Sequence, residues 1–341
     1  MPDQVNLALV GCGAVCDFHC PALEAPGSRL KVTAAVDTDP QRAQRVADRF
    51  GAAVFADLDD ALARGDFDAV DIMLPHDLHE TAAMAVFRAG RHLLLEKPIA
   101  ANVAAAHRIL EAGRAADCVF MVGENAQYWP EVVEAKRLID TGAIGTPFTA
   151  QANMSNPFDP FWYSGAQPWR FDRNRAGGGI VIDGGSHWIR PLRMWMGEID
   201  RVVAVTRQPL AQMEGESLAH ALLQFAGGSV GRFDAMTVDS VIGPDEWFRV
   251  TGSEGQLTIG GNPKGRLRRY DANHPEGTIA CEAEGYAGSF MHEMADFAAA
   301  ILDGSPLAAG PEQALGELLF ALAVYRSAQS GQWETVGRGN G

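Results

Sequence analysis

The sequence predicts an α/β chain in two parts: a doubly wound parallel sheet first, then an α+β domain built on a mostly antiparallel sheet. Three observations carry that prediction. The apolar run N-L-A-L-V from Asn6 to Val10 meets the glycine turn Gly11-Cys12-Gly13-Ala14-Val15-Cys16 and then a helix start. Up to Gly123, short apolar runs alternate with helical stretches in the rhythm of parallel βαβ units. Beyond it, alternating and β-branched segments are separated by Gly-rich turns such as Ala226-Gly227-Gly228, as in hairpins. A length of 341 residues suits two domains, with the cut placed between 1–123 and 124–341.

In order, the first strand ends at Gly11, which permits a tight turn. Gly13 lets the backbone approach a pyrophosphate, and the helix that opens after Ala14 and Val15 offers amides and a positive dipole end. Cys16 stands where a third Gly or Ala is usual, and its small thiol still suits close helix-to-strand packing. The second strand, Val32–Val36, delivers Asp37, placed to take ribose hydroxyls and to repel a 2′-phosphate. NAD is therefore expected over NADP, although Arg42 and Thr38 leave NADP open. The other reading of Asp37 is a helix N-cap ahead of Pro40.

The alternation continues through a helix over Gln41–Phe50, a strand near Val54, a helix over Leu58–Ala63 and the strand Ala69–Met73. A loop then carries Pro75 and His76 into a helix starting at His79. Both histidines are candidates to cap that helix or to line a nicotinamide pocket. Leu93-Leu94-Leu95 reads as a doubly covered strand, followed by Glu96-Lys97-Pro98. Lys97 thus sits at the carboxyl end of a strand, where open α/β sheets meet their ligands. Taken alone the tripeptide reads as a surface Lys; Pro98 also allows a cis Lys97–Pro98 bond that would aim the amine. A helix over Val103–Ala116 and the strand Val119–Val122 complete this part.

The second part holds a helix over Pro130–Thr141, a strand near Phe148, and strands at Val202–Val205, Leu218–Phe225, Ser229–Phe233, Trp247–Thr251 and Gln256–Ile259. Helices at Met291–Asp303 and Glu312–Ser330 close it. An aromatic tract, Phe158 to Trp169, reads either as a packed mini-core or as a wall that stacks on the C–H face of a pyranose or cyclitol, with Trp162 and Trp169 foremost. The run Gly177-Gly178-Gly179 precedes Ile180 to His187. If helical throughout, that stretch puts Asp183 and His187 at i and i+4 on one face. Glycine in a helix interior costs about 1 kcal/mol relative to Ala, so something must come close to this backbone.

Composition excludes several classes. A net charge of −15 argues against a nucleic-acid partner. No apolar run reaches the roughly 18 to 20 residues of a membrane helix, and no secretory signal is visible, so a cytoplasmic protein is expected. Five cysteines do not form a disulfide framework. Cys12, Cys16 and Cys20 match no common zinc spacing and read as small buried residues, so no metal is expected.

Taken together, the glycine loop at Gly11, Glu96-Lys97-Pro98, and the Asp183-x-x-x-His187 pair after a glycine run resemble the glucose-fructose oxidoreductase / inositol dehydrogenase / rhizopine-catabolism family of NAD(P)-dependent oxidoreductases. The tract Tyr128-Trp129-Pro130 and the turn Gly142–Pro147 extend the resemblance over nearly the whole length. It implies a Rossmann domain followed by an open-faced antiparallel α+β domain that forms a homo-oligomer, dimer or tetramer. It also implies Lys97, Asp183 and His187 as the catalytic set, with Glu96 and Lys97 beside the cofactor and Tyr128 on the substrate side. A secondary hydroxyl of a sugar, sugar derivative or cyclitol is the expected substrate. His187 has the titration range of a base and Lys97 can stabilise an alkoxide; which of them takes the proton stays open. Where the family often has an acid three residues after the histidine, this chain has Arg190. Arg170, Arg173, Arg175, Arg190 and Arg193 read as surface ion pairs or as a recognition site for an anionic substrate, with Arg170 the one to test. Two other functions fit the same resemblance: redox-neutral glycoside cleavage or epimerisation on bound NAD, and a non-catalytic NAD-binding sensor or co-repressor.

Overall fold

A computed structural model describes residues 3–164, 167–241, 246–260, 265–284 and 286–337. The chain divides into two compact units, Met1–Gly123 with Phe290–Leu315, and Glu124–Ser289 with Gly316–Gly341. A single cut after Gly123 therefore does not describe the partition, because Phe290–Leu315 clusters with the first unit.

The first unit is built from β1 (Val5–Val10), α1 (Cys16–Glu24), β2 (Leu30–Val36), α2 (Pro40–Phe50), β3 (Ala53–Phe55), α3 (Leu58–Arg64), β4 (Ala69–Ile72), α4 (His79–Arg88), β5 (His92–Glu96), α5 (Val103–Ala115) and β6 (Phe120–Gly123). The strands run in the order β3-β2-β1-β4-β5-β6, and each neighbouring pair is parallel. Leu7, Leu9, Val70, Ile72 and Leu93 to Leu95 are fully buried, the reason these strands read as continuous apolar runs. Asp39, not Asp37, caps α2: its side chain accepts from Gln41 N, Pro40 opens the helix, and Gly51 closes it with φ +68°. Asp57 and Asn102 cap α3 and α5 in the same way.

The second unit contributes α6 (Pro130–Asp140), β7 (Pro147–Pro157), α7 (Arg173–Ala176), α8 (Ile180–Asp183), α9 (Ser186–Met196), β8 (Ile199–Arg207), β9 (Leu218–Phe225), β10 (Val230–Val238), β11 (Glu246–Gly252), β12 (Gly255–Gly260), β13 (Arg266–Asp271) and β14 (His274–Glu282). α10 (Tyr286–Asp303) belongs from Phe290 on to the first unit, while α11 (Gln313–Ser330), from Gly316 on, and β15 (Glu334–Thr335) belong to the second. The sheet order is β14-β13-β12-β11-β7-β10-β9-β8-β15, antiparallel among the described residues except at β7/β10. Along β9, Ala219, Ala221, Leu223 and Phe225 are buried while His220, Leu222 and Gln224 are exposed, so one sheet face is core and the other is open. No described helix is long and apolar enough to cross a membrane.

Candidate active site

In the first unit, β1 delivers the chain into Gly11 at φ +92°, where a Cβ would lie 2.5 Å from the Met73 carbonyl oxygen. Only glycine fits there. A Cβ on Gly13 would meet no protein atom within 4 Å, so this backbone faces open space, as a pyrophosphate cradle must. Ala14 and Val15 lead directly into α1. Asp37 sits at the end of β2 with its carboxylate fixed from both sides: Cys12 N donates to Oδ2 and Asp39 N to Oδ1, each at 2.8 Å. An ionised carboxylate has further lone pairs, so the group still fits a ribose diol. These features together suit a dinucleotide.

Cys12, Cys16 and Cys20 are fully buried, as expected, with the Cys16 and Cys20 sulfurs 3.8 Å apart. Hydrogen bonding from Cys12 and Cys20, then burial, pushes the Cys16 thiol far above its ordinary range.

Pro75 opens the single turn His76–Leu78 after β4. His76 is buried with its ring 5.7 Å from that of His79. His79 does not line a pocket. It is fully buried, with Nδ1 2.9 Å from the Pro98 oxygen and Nε2 2.9 Å from the Leu74 oxygen. Burial pushes its pKa below the ordinary range, and the ring stands between backbone oxygens of the Pro75 loop and of the Lys97-Pro98 loop. That peptide is cis, as expected. Lys97 follows β5 half-buried, and its backbone N donates to Glu96 Oε2 at 3.1 Å.

Glu96 leads to a residue the sequence reasoning missed. His19 on α1 lies 2.9 Å from Glu96 Oε1 through Nε2 and 2.7 Å from Asp71 Oδ2 through Nδ1. Burial alone would lower its pKa, but the two carboxylates outweigh it and hold the ring well above the ordinary range, as an imidazolium. The available signal was Asp71 itself, an acid inside the apolar strand A-V-D-I-M that had to find a buried partner. Ligand-type atoms of His19, Glu96 and Glu293 lie within 4.8 Å of one another, close enough for a metal ion. Both His19 nitrogens already face carboxylates, which makes the group an ion-paired core.

In the second unit the glycine run finds its cause. A Cβ on Gly178 would lie 2.2 Å from the Tyr325 hydroxyl, and one on Gly179 2.0 Å from the Glu216 carbonyl oxygen. Glu216 accepts from Val181 N at 2.9 Å and from the Tyr325 hydroxyl at 3.0 Å, holding the first turn of α8. What comes close to this backbone is therefore the protein's own Glu216 and Tyr325.

The single helix expected from Ile180 through His187 is interrupted. α8 ends at Asp183 and α9 starts at Ser186; Gly184 and Gly185 keep helical dihedrals, but Gly185 N reaches back five residues to the Ile180 oxygen at 2.9 Å. A Cβ on Gly185 would lie 2.4 Å from the Val181 oxygen. Asp183 and His187 consequently have different partners. Arg170 Nε donates to Asp183 Oδ2 at 2.9 Å, and its guanidinium lies 4.3 Å from the Trp169 ring centroid and 5.9 Å from that of Trp162. His187 is buried, with Nδ1 2.5 Å from Glu124 Oε1 and Nε2 3.5 Å from the Tyr286 hydroxyl. The Tyr286 ring stands edge-on to Trp162 and Trp129, both at 6.5 Å. Tyr128 is buried in the turn Asn125–Tyr128 that precedes α6.

The aromatic tract divides into two parts. Phe158, Tyr163 and Phe171 stack on one another as a mini-core, and burial pushes the Tyr163 hydroxyl up to about 12. Trp162 and Trp169 instead flank Arg170. Arg190 and Arg193 are neither surface pairs nor an anion site. Both are buried: Arg190 makes a bidentate bond to Glu317 and a further one to Gln127, while Arg193 bridges Glu317 and Glu198. The acid usual at position 190 is thus replaced by a structural cation with a buried acid of its own.

A family model described as an oxidoreductase family with an NAD-binding Rossmann fold matches residues 5–124, and a GFO/IDH/MocA C-terminal domain model matches residues 132–258. The 1,5-anhydro-D-fructose reductase of Ensifer adhaerens is 30% identical over 78% of this chain and 79% of its own length. The levoglucosan dehydrogenase of Pseudarthrobacter phenanthrenivorans is 25% identical over 98% of each chain. The solved structure of levoglucosan dehydrogenase in complex with NADH shares the fold with a TM-score of 0.85 at 24% identity, covering 98% of this chain and 100% of that one.

Proposed function

Because this chain belongs to the GFO/IDH/MocA family of NAD-binding oxidoreductases, we propose that it is a dehydrogenase acting on a secondary hydroxyl of a sugar, sugar derivative or cyclitol. The observation that carries the reading is the surround of His187: a buried imidazole with Tyr286 on one nitrogen, in a unit that also holds Trp162, Trp169 and the Arg170–Asp183 pair. Ring faces and paired polar groups of this kind suit a polyhydroxylated ring.

Oxidising a secondary alcohol moves a hydride from carbon and releases a hydroxyl proton. NAD, when bound, supplies the hydride acceptor. Gly11 and Gly13 open the backbone for its pyrophosphate, and Asp37 takes its ribose hydroxyls and disfavours a 2′-phosphate. Lys97 stabilises the developing alkoxide, His187 is the general base, and Asp183, oriented by Arg170, holds a neighbouring hydroxyl. The open face of the second sheet is where copies of the chain associate.

The test is reduced-nicotinamide absorbance with NAD or NADP against a panel of cyclitols, aldoses, uronates and glycosides. A rise with NAD, lowered by roughly 10²- to 10⁴-fold in Lys97→Ala and in His187→Ala while NAD still binds, is the expected result. Substrate consumption without accumulating NADH would favour a redox-neutral reaction, and unchanged turnover in both variants would end this mechanism.

A further inference from the structure

Glu124 is the partner of His187 that neither the glycine run nor the helix spacing foretold. Its Oε1 lies 2.5 Å from Nδ1, and the two residues are 1% and 7% exposed. The same oxygen accepts from Ala126 N at 3.2 Å, so the carboxylate is fixed by the turn it caps. Asp183, the acid expected beside His187, is paired with Arg170 instead. Among the described residues, Glu124 meets the ring at Nδ1 and the Tyr286 hydroxyl lies 3.5 Å from Nε2, with Trp129 and Trp188 flanking it without charge.

We propose that Glu124 is a positioning residue for His187: it keeps the neutral ring's proton on Nδ1 and leaves Nε2 as the atom that receives the substrate's hydroxyl proton. This rests on the dehydrogenase reading above. In the step, the hydroxyl O–H bond breaks and an N–H bond forms at Nε2. With NAD held as proposed above, the carbon would give up its hydride to the nicotinamide and the alcohol would become a carbonyl. The imidazolium so formed is stabilised by a charge-assisted hydrogen bond to a buried carboxylate, where little water competes. Nothing in the sequence around position 124 announces this, because Glu124 and His187 are 63 residues apart.

Glu124→Gln separates charge from geometry, since the amide oxygen can still accept from Nδ1–H and from Ala126 N–H. With the substrate found in the panel, the plateau kcat/KM is expected to fall roughly 10- to 100-fold. The acid limb of its pH profile should move to lower pH by about one unit or more, because an opposite charge beside the base has been removed. A purely structural residue would not move that limb. A second readout needs no turnover: ¹⁵N-histidine spectra, with His187→Asn identifying the ring. Wild-type protein should carry the neutral proton on Nδ1, Glu124→Gln should keep it there, and Glu124→Ala should shift it to Nε2. A wild-type ring protonated on Nε2, a tautomer unchanged in Glu124→Ala, or a Glu124→Gln profile superimposable on wild type would overturn the proposal. If no substrate reduces NAD, the dehydrogenase reading fails on its own, while the ring spectra still decide the role of Glu124.

Discussion

Between Asp71 and Glu96, the His19 imidazole joins the helix of the glycine loop to β4 and to the end of β5, just before Lys97. A neutral ring would leave a buried carboxylate oxygen facing a lone pair, so the charged form is the one that satisfies both sides. Its pKa is raised on folding, so the stability it contributes is fully present below its unfolded value of about 6.5 and is lost as pH rises through the folded value. Asp71→Asn keeps an acceptor at Nδ1 but removes a charge, which moves that loss to lower pH. Urea midpoints between pH 6 and 9 should hold to a higher pH in wild type than in Asp71→Asn, with the variant about 1.5–3 kcal/mol less stable at pH 8. Identical profiles would mean that His19 is not an imidazolium in the folded protein.

α8 is four residues long and carries Asp183, so its direction depends on what holds its first turn. Glu216 supplies two acceptors there, its carbonyl to Ile180 N at 2.8 Å and its carboxylate to Val181 N at 2.9 Å. Gly179 is what lets Glu216 come so close. Gly179→Ala should therefore lower thermal stability by about 1–3 kcal/mol or more and weaken substrate turnover through Asp183, because backbone as well as side chain must give way. Gly227→Ala, in a hairpin turn where a Cβ would meet nothing within 4 Å, should stay within about 0.5 kcal/mol by calorimetry and serves as the control. The cost of the glycines was legible in the sequence, but the identity of the close neighbour was not, since Glu216 and Tyr325 lie 37 and 146 residues away from Gly179. Periodicity marked the parallel strands, of which β1, β4, β5 and β6 are buried on both faces, while β3 at the edge leaves Ala53 and Val54 exposed. It missed β13, whose R-L-R-R-Y-D text is charged rather than apolar, and β14, the edge strand, which is exposed along most of its length. The motifs and the family resemblance they carry singled out Lys97, Asp183 and His187, whereas Glu124, Tyr286 and His19 were invisible because only tertiary packing brings them to their partners.

At the scale of the molecule, the second sheet has α8 and α9 against one face through β10 and β7, and leaves the other face open. On that open face Val205, Leu222 and Val230 are 55%, 53% and 51% exposed, in three adjacent strands whose alternate residues are buried. Around them His220 and Arg232 both pair with Asp234, so the face mixes apolar area with locally balanced charge. A flat surface of that composition suits a second copy of itself better than a strongly charged partner, and a standard interface needs roughly 800 Å² from each copy. In a chain of net charge −15, association must also overcome like-charge repulsion, which salt screens. Sedimentation at micromolar concentration should accordingly give a dimer or tetramer of the 36.5 kDa chain, favoured by salt. The double variant Val205→Glu, Leu222→Glu should sediment as a monomer with its fold intact by circular dichroism, since neither side chain contributes to the core. A wild-type monomer, or an oligomer indifferent to both substitutions, would remove this face from the assembly.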